Sequence, residues 1–96
     1  MKGTVIGLKH EAGNNNWRKG KVTVKEYNNL VLYIILDESP KDGFGKEAKI
    51  LKVQWDKINE VFGKEIETLE DLKHLINTQI VFYYNDEKTI ERIIES

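Results

Sequence analysis

WRKGKVTVKEYNNLVLYIILD, residues 17–37, decides how this chain is read. In extended backbone, side chains alternate between two faces. Odd positions of the first half then carry Trp17, Lys19, Lys21, Thr23, Lys25 and Tyr27. Even positions carry Arg18, Gly20, Val22, Val24 and Glu26. One face is basic and bracketed by two aromatic rings, and the other holds two valines. Asn tolerates positive φ, so Asn28-Asn29 predicts a tight hairpin into the apolar run that follows. A two-residue loop would put the lysines on the same face as Leu30, Leu32, Ile34 and Leu36. A three-residue loop with a bulge instead pairs Tyr27 with Val31. Val22 and Val24 then join Leu32, Ile34 and Leu36 on the buried face, and the lysines share the other with Tyr27, Val31, Tyr33 and Ile35. A one-residue slip exchanges the faces, so the hydrophobic pattern selects the three-residue loop.

Working outward, Val5, Ile6 and Leu8 predict a first strand over residues 2–10, followed by a turn at AGNNN (12–16). SPKDGFG (39–45) contains the single proline and breaks the pattern before EAKILKVQW (47–55), which reads as another strand. Trp55, Ile58 and Phe62 are spaced for one helical face ended by Gly63. Thr68 is a candidate N-cap, with Glu70 and Asp71 in the first turn, where the helix dipole favours acids. Leu69, Leu72, Leu75 and Ile76 form that helix's apolar stripe, and Asn77 can close it. QIVFYYNDEKTIERIIE (79–95) then predicts a terminal hairpin turning at residues 85–88. Three strands, a helix and two strands predict a β-rich domain spanning residues 1–96, an OB-type barrel of five to six strands. Residues 38–67 elaborate the exit of the third strand. An SH3-like barrel, or a curved sheet packed on a helix, is the competing architecture.

Ninety-six residues suit one domain with a modest core. With no cysteine, disulfides, thiolate nucleophiles and cysteine-held metals are excluded. MKGTVIGLKH lacks the apolar segment of a secretory signal, and no run approaches a membrane span, so a soluble cytoplasmic protein is expected. The net charge of −1 conceals an asymmetry: residues 1–30 carry six basic and two acidic side chains, residues 61–96 four and eight. A sequence pI near 6.1 argues against a large phosphate-neutralising surface, so any nucleic-acid site must be local.

KGTVIGLKH (2–10) and INTQIVFYYNDEKTIERI (76–93) resemble the ends of small OB-fold single-stranded-DNA-binding-like proteins of Gram-positive phages and plasmids. Those proteins begin with a Lys-Gly-aliphatic strand and end with an aromatic-Tyr-Asn turn into an alternating strand. The resemblance covers the two ends of the chain and implies an OB fold that binds single-stranded nucleic acid.

Binders of that kind combine a positive groove with aromatic rings on which bases stack, each base contributing roughly 1–3 kcal/mol. The second and third strands commonly supply the surface. Trp17, Lys19, Lys21, Lys25, Tyr27 and Tyr33 are residues of the right type on those strands: lysines for phosphates, rings for bases. The plainer reading makes the lysines a solvated face and the rings barrel-end caps.

Other chemistry is sparse. GFGK (43–46) lacks the spacing and the following Ser or Thr of a phosphate-binding loop and reads as a hairpin loop. His10 and His74 are distant in sequence and form no zinc pattern. His74 is expected to be exposed, pairing with Glu70 one turn earlier. The serines, Ser39 and Ser96, suggest no nucleophile, and no carboxylate pair is marked for acid–base work. A non-enzymatic protein without cofactor or metal is expected. The alternative function is an inhibitor or interaction module encoded by a phage or mobile element. Its acidic surface, with Asp86, Glu87, Glu91 and Glu95 beside Tyr83 and Tyr84, would meet a host protein.

Overall fold

A computed structural model of the chain describes residues 1–16 and 24–95. Its strands are β1 (Lys2–Asn16), β2 (Val24–Leu36), β3 (Ala48–Gln54), β4 (Gln79–Tyr84) and β5 (Ile90–Glu95). All pair antiparallel in one sheet of order β3-β2-β1-β4-β5. The sheet does not close: among the described residues, β3 and β5 remain its two ends. Between β3 and β4 lie a short 3₁₀ turn, Trp55–Lys57, then α1 (Ile58–Phe62) and a 3₁₀ segment, Leu69–Leu75.

β2 organises the core. Leu30, Leu32, Ile34 and Leu36 alternate inward and are all buried. From β3 they meet Leu51 and Val53, from the helical crossover Ile58, Val61, Leu72 and Leu75, and from the last hairpin Ile80, Phe82 and Ile93. No buried side-chain nitrogen or oxygen among the described residues lacks a partner. No polar or charged residue among those described is buried, so the core is apolar and the hydrophobic effect holds it together.

β1 joins the two halves of the sheet. Lys2, Gly3 and Thr4 pair with Val81, Ile80 and Gln79 of β4 on one side, while β2 runs along the other side of the strand from Gly3 onward. A bulge between Val5 and Gly7 makes the change of direction, since an extra residue bends a strand and increases its twist. Ile6 lies there and is 53% exposed. Gly3 is buried where the three strands meet. A Cβ on it would lie 2.9 Å from the Ile35 carbonyl oxygen, so only glycine allows that approach.

The Asn28-Asn29 hairpin does not form. β2 runs straight through it, with Asn28 opposite Ala12 and Asn29 between Glu11 and Gln54. AGNNN is likewise the far half of β1 and not a turn. Tyr27 consequently pairs with Gly13, not Val31. Asparagine is tolerated here because ladders on both sides satisfy the Asn29 backbone. The Asn28 side chain also shares a hydrogen bond with His10, eighteen residues away. The connection from β1 to β2 is made through residues outside the described set.

Other expectations hold with a changed helix type. Gly63 ends α1 at φ 68°, its N–H donating to the Asn59 carbonyl at 2.9 Å. Asp71 accepts the backbone N–H groups of Glu67 (2.9 Å) and Thr68 (3.1 Å) at the start of the second helical segment. Because that segment is 3₁₀, with three residues per turn, Leu69, Leu72 and Leu75 share a face. Ile76 leaves the stripe in extended backbone and is 41% exposed. The β4–β5 hairpin turns where predicted.

Candidate nucleic-acid interface

The outward face of β2 consists of the odd positions Tyr27, Asn29, Val31, Tyr33 and Ile35, because Leu30, Leu32, Ile34 and Leu36 point into the core. β1 contributes Gly13, Glu11, Lys9, Gly7 and Thr4 opposite these positions, and β3 contributes Gln54, Lys52, Ile50 and Ala48. Three strands thus present one mixed surface.

Its two tyrosines each stand opposite a glycine. A Cβ on Gly13 would lie 2.6 Å from the Tyr27 hydroxyl oxygen, so that ring lies down across the glycine. Tyr33 stands opposite Gly7 but does not lie across it: only its Cδ2, at 3.5 Å, and Cβ, at 3.9 Å, approach the corresponding position. An aromatic ring paired with a cross-strand glycine is a known way of pinning register. Both tyrosines are half-buried. Val31, between Lys9 and Lys52, is only 1% exposed, so neighbouring side chains close over it, whereas Ile50 beside Tyr33 is 58% exposed.

The charges on this face are mixed. Lys9 and Lys52 are exposed, and Lys52 pairs loosely with Glu11 across β2 at 3.6 Å. Exposed pairs of this kind contribute little, so the Lys52 ammonium remains available to an anion.

Of the six residues singled out from sequence, Tyr27 and Tyr33 lie together on this face. Lys25 stands on β2 opposite Asn15, at a position of the same parity. Trp17, Lys19 and Lys21 lie outside the described residues. Sequence reading missed Lys9, Ile50 and Lys52, and it missed the glycines. A signal was present: Gly7 and Gly13 are six apart, as are Tyr27 and Tyr33, so an antiparallel register satisfying one pair satisfies both.

The other flagged side chains sit elsewhere. His10 stacks on Trp55 with ring centroids 3.9 Å apart and planes within 13°. His74 does not pair with Glu70. Its Nε2 meets Glu95 Oε1 at 2.7 Å, and Lys64 Nζ donates to the same oxygen at 2.8 Å. Burial alone would push the Glu95 carboxyl up, but hydrogen bonds from Lys64 and His74 outweigh it and hold the group below its usual range. Backbone N–H groups of Glu67 and Thr68 likewise lower Asp71. No helix among the described residues is long and apolar enough to cross a membrane.

Comparison of the chain with protein-family models, curated proteins and solved structures returned no match.

Proposed function

We propose that this protein is a non-enzymatic binder of single-stranded nucleic acid, built on a partly open OB-type barrel and using the outward face of β2 and β3. The observation that carries this reading is the pair of tyrosines standing opposite Gly13 and Gly7, Tyr27 laid across its glycine, on one continuous face with Lys9 and Lys52. Rings held in this way stack on any base, and the lysines meet phosphates. Support for the OB type comes from the strand order β3-β2-β1-β4-β5, with helical structure entering between β3 and β4. In this reading Lys19, Lys21 and Lys25 add phosphate contacts and Trp17 a further stacking ring.

The test is fluorescence anisotropy of labelled oligo-dT at several salt concentrations. Five lysine contacts, from Lys9, Lys19, Lys21, Lys25 and Lys52, give a slope of log affinity against log salt of about −3.5. Tyr33→Ala should weaken binding about 5- to 150-fold, the equivalent of roughly 1–3 kcal/mol for one stacked base. Absence of binding at low salt, or equal binding by the Tyr27→Ala, Tyr33→Ala double variant, refutes the proposal.

A second reading rests on a different surface. Val81 and Tyr83 on β4 stand opposite Ile94 and Arg92 on β5, and Tyr83 and Ile94 are 48% and 44% exposed. This apolar patch suits a protein partner. The acidic surface expected from sequence is divided, however. Tyr84 packs edge-on to Phe82 at 5.9 Å under Lys49, and Glu95 is engaged by Lys64 and His74. Nucleic-acid binding is accordingly the preferred reading.

A further inference from the structure

The loop between β2 and β3 carries Phe44 near its tip, and the ring is fully exposed: no described residue covers it. The loop that holds it out is pinned. At its base the Leu36 N–H donates to the Glu47 carbonyl at 2.8 Å, and Lys46 Nζ donates to the Asp37 carbonyl at 2.7 Å. Nearer the tip, the Gly43 N–H donates to the Pro40 carbonyl at 3.3 Å. Asp42 and Gly45, on either side of the ring, adopt positive φ of 64° and 79°. An aromatic side chain on a loop so fixed costs little further ordering when it is buried, which is how interface anchors act.

The same chain holds a receptor for such a ring. A cleft of about 410 Å³ opens between β3 and the β4–β5 turn, with Ile50, Lys52, Lys88 and Ile90 among its walls. Tyr84 also lines it, but Lys49 already covers that ring, its ammonium 4.9 Å from the centroid. The apolar surface left open is that of Ile50, 58% exposed, and half-buried Ile90. The turn side is preformed, because Asn85 Oδ1 accepts the backbone N–H groups of Glu87 (3.0 Å) and Thr89 (3.1 Å).

Charge matches the two surfaces. Residues 37–47 carry four acidic and two basic side chains, and one of the basic ones, Lys46, is engaged at the loop's own base. The cleft is rimmed by Lys49, Lys52 and Lys88. Its opposing acids are fewer: Glu11, 3.6 Å from Lys52, and Glu87 in the adjoining hollow. An acidic loop therefore finds a basic rim, which favours and orients the encounter.

We propose that two copies of this chain associate by exchanging loops: Phe44 of each enters the cleft of the other, against Ile50 and Ile90, with the acidic loop over Lys52 and Lys88. One loop and one cleft per chain let a two-fold pair bury both rings and leave neither surface over, the closed symmetry commonest among homo-oligomers. Two loop contacts make a small interface, so the pair is weak and reversible. This self-association goes beyond nucleic-acid binding and does not depend on it.

The experiment is sedimentation velocity and ¹⁵N amide mapping of the protein alone, over a dilution series from millimolar to micromolar. The expected result is a monomer–dimer equilibrium that weakens with salt, with concentration-dependent shifts at Phe44, Gly45, Ile50, Lys88 and Ile90. Phe44→Ala, which removes only exposed atoms, should weaken it at least about thirtyfold with an unchanged circular dichroism spectrum. Lys88→Glu should weaken it about two- to fivefold, and the exposed control Lys73→Glu should not. A wild-type protein that stays monomeric at millimolar concentration would overturn the proposal. So would a dimer that survives Phe44→Ala, or one whose shifts fall on Val81, Tyr83 and Ile94. Growth beyond a dimer would overturn the two-fold exchange. None of these outcomes alters the oligo-dT titration, so the two readings fail separately.

Discussion

Phe82 and Tyr83 are neighbours of similar size on β4 with opposite environments, and truncating each in turn tests the orientation of that strand. Phe82 is fully buried, stands opposite Ile93 and meets the Tyr84 ring edge-on at 5.9 Å. Its replacement by alanine removes a large apolar surface from the core and leaves a cavity, a loss of about 3–5 kcal/mol. At roughly 0.05–0.15 kcal/mol per residue, a 96-residue chain has about 5–14 kcal/mol in total. Phe82→Ala therefore removes a large fraction of the stability. With a urea slope of about 2 kcal/mol/M, the unfolding midpoint should fall by roughly 1.5–2.5 M. Tyr83 is 48% exposed on the outer face, and Tyr83→Ala should cost about 1 kcal/mol or less, a shift of roughly 0.5 M. Urea unfolding followed by far-UV circular dichroism measures both. Equal shifts, or a larger one for Tyr83→Ala, would refute the reasoning, because a one-residue slip of β4 exchanges its two faces.

Three further outcomes follow from particular contacts. Gly13→Ala should cost about 1 kcal/mol, because its Cβ would lie 2.6 Å from the Tyr27 hydroxyl oxygen and push the end of that side chain aside. Gly7→Ala, with 3.5 Å to Tyr33, should be tolerated within about 0.5 kcal/mol; urea midpoints that rank the two the other way contradict the ring positions. Glu95 has a folded pKa below its ordinary 4.5, so its contribution is present above that pH and is lost as pH falls through the folded value. Thermal melts should show a drop on acidification through this range that is smaller in Glu95→Gln, and an unchanged drop would contradict the Lys64–Glu95–His74 arrangement. Asp71→Ala should lower Tm by freeing the Glu67 and Thr68 amides; an unaltered Tm would contradict that capping role.

Local chemistry was legible wherever one residue's environment follows from its near neighbours. The alternation of Leu32, Ile34 and Leu36 marked the core face, which Leu30, expected in the loop, also joins, and Gly63, Thr68 and Asp71 marked helix ends. The last hairpin followed from its own turn. What escaped were features set by distant partners. Asn28-Asn29 carries a turn signal, but His10 and the ladders to β1 and β3 hold it in a strand. His74 could find Glu70 nearby, yet β5 delivers Glu95 from 21 residues away. Lys25, Tyr27 and Tyr33 were grouped on one face through a hairpin that does not exist. They share parity because β2 is continuous. The glycines opposite the tyrosines become meaningful only once β1 is placed in register.

The most direct test of the central claim is to titrate oligo-dT into ¹⁵N-labelled protein and map the amide shifts. Changes concentrated at Gly7, Gly13, Tyr27, Tyr33, Ile50 and Lys52, with Val81, Tyr83 and Ile94 unmoved, are the predicted result. Shifts confined to the β4–β5 face, or none at saturating oligonucleotide, would contradict a nucleic-acid surface on β2 and β3.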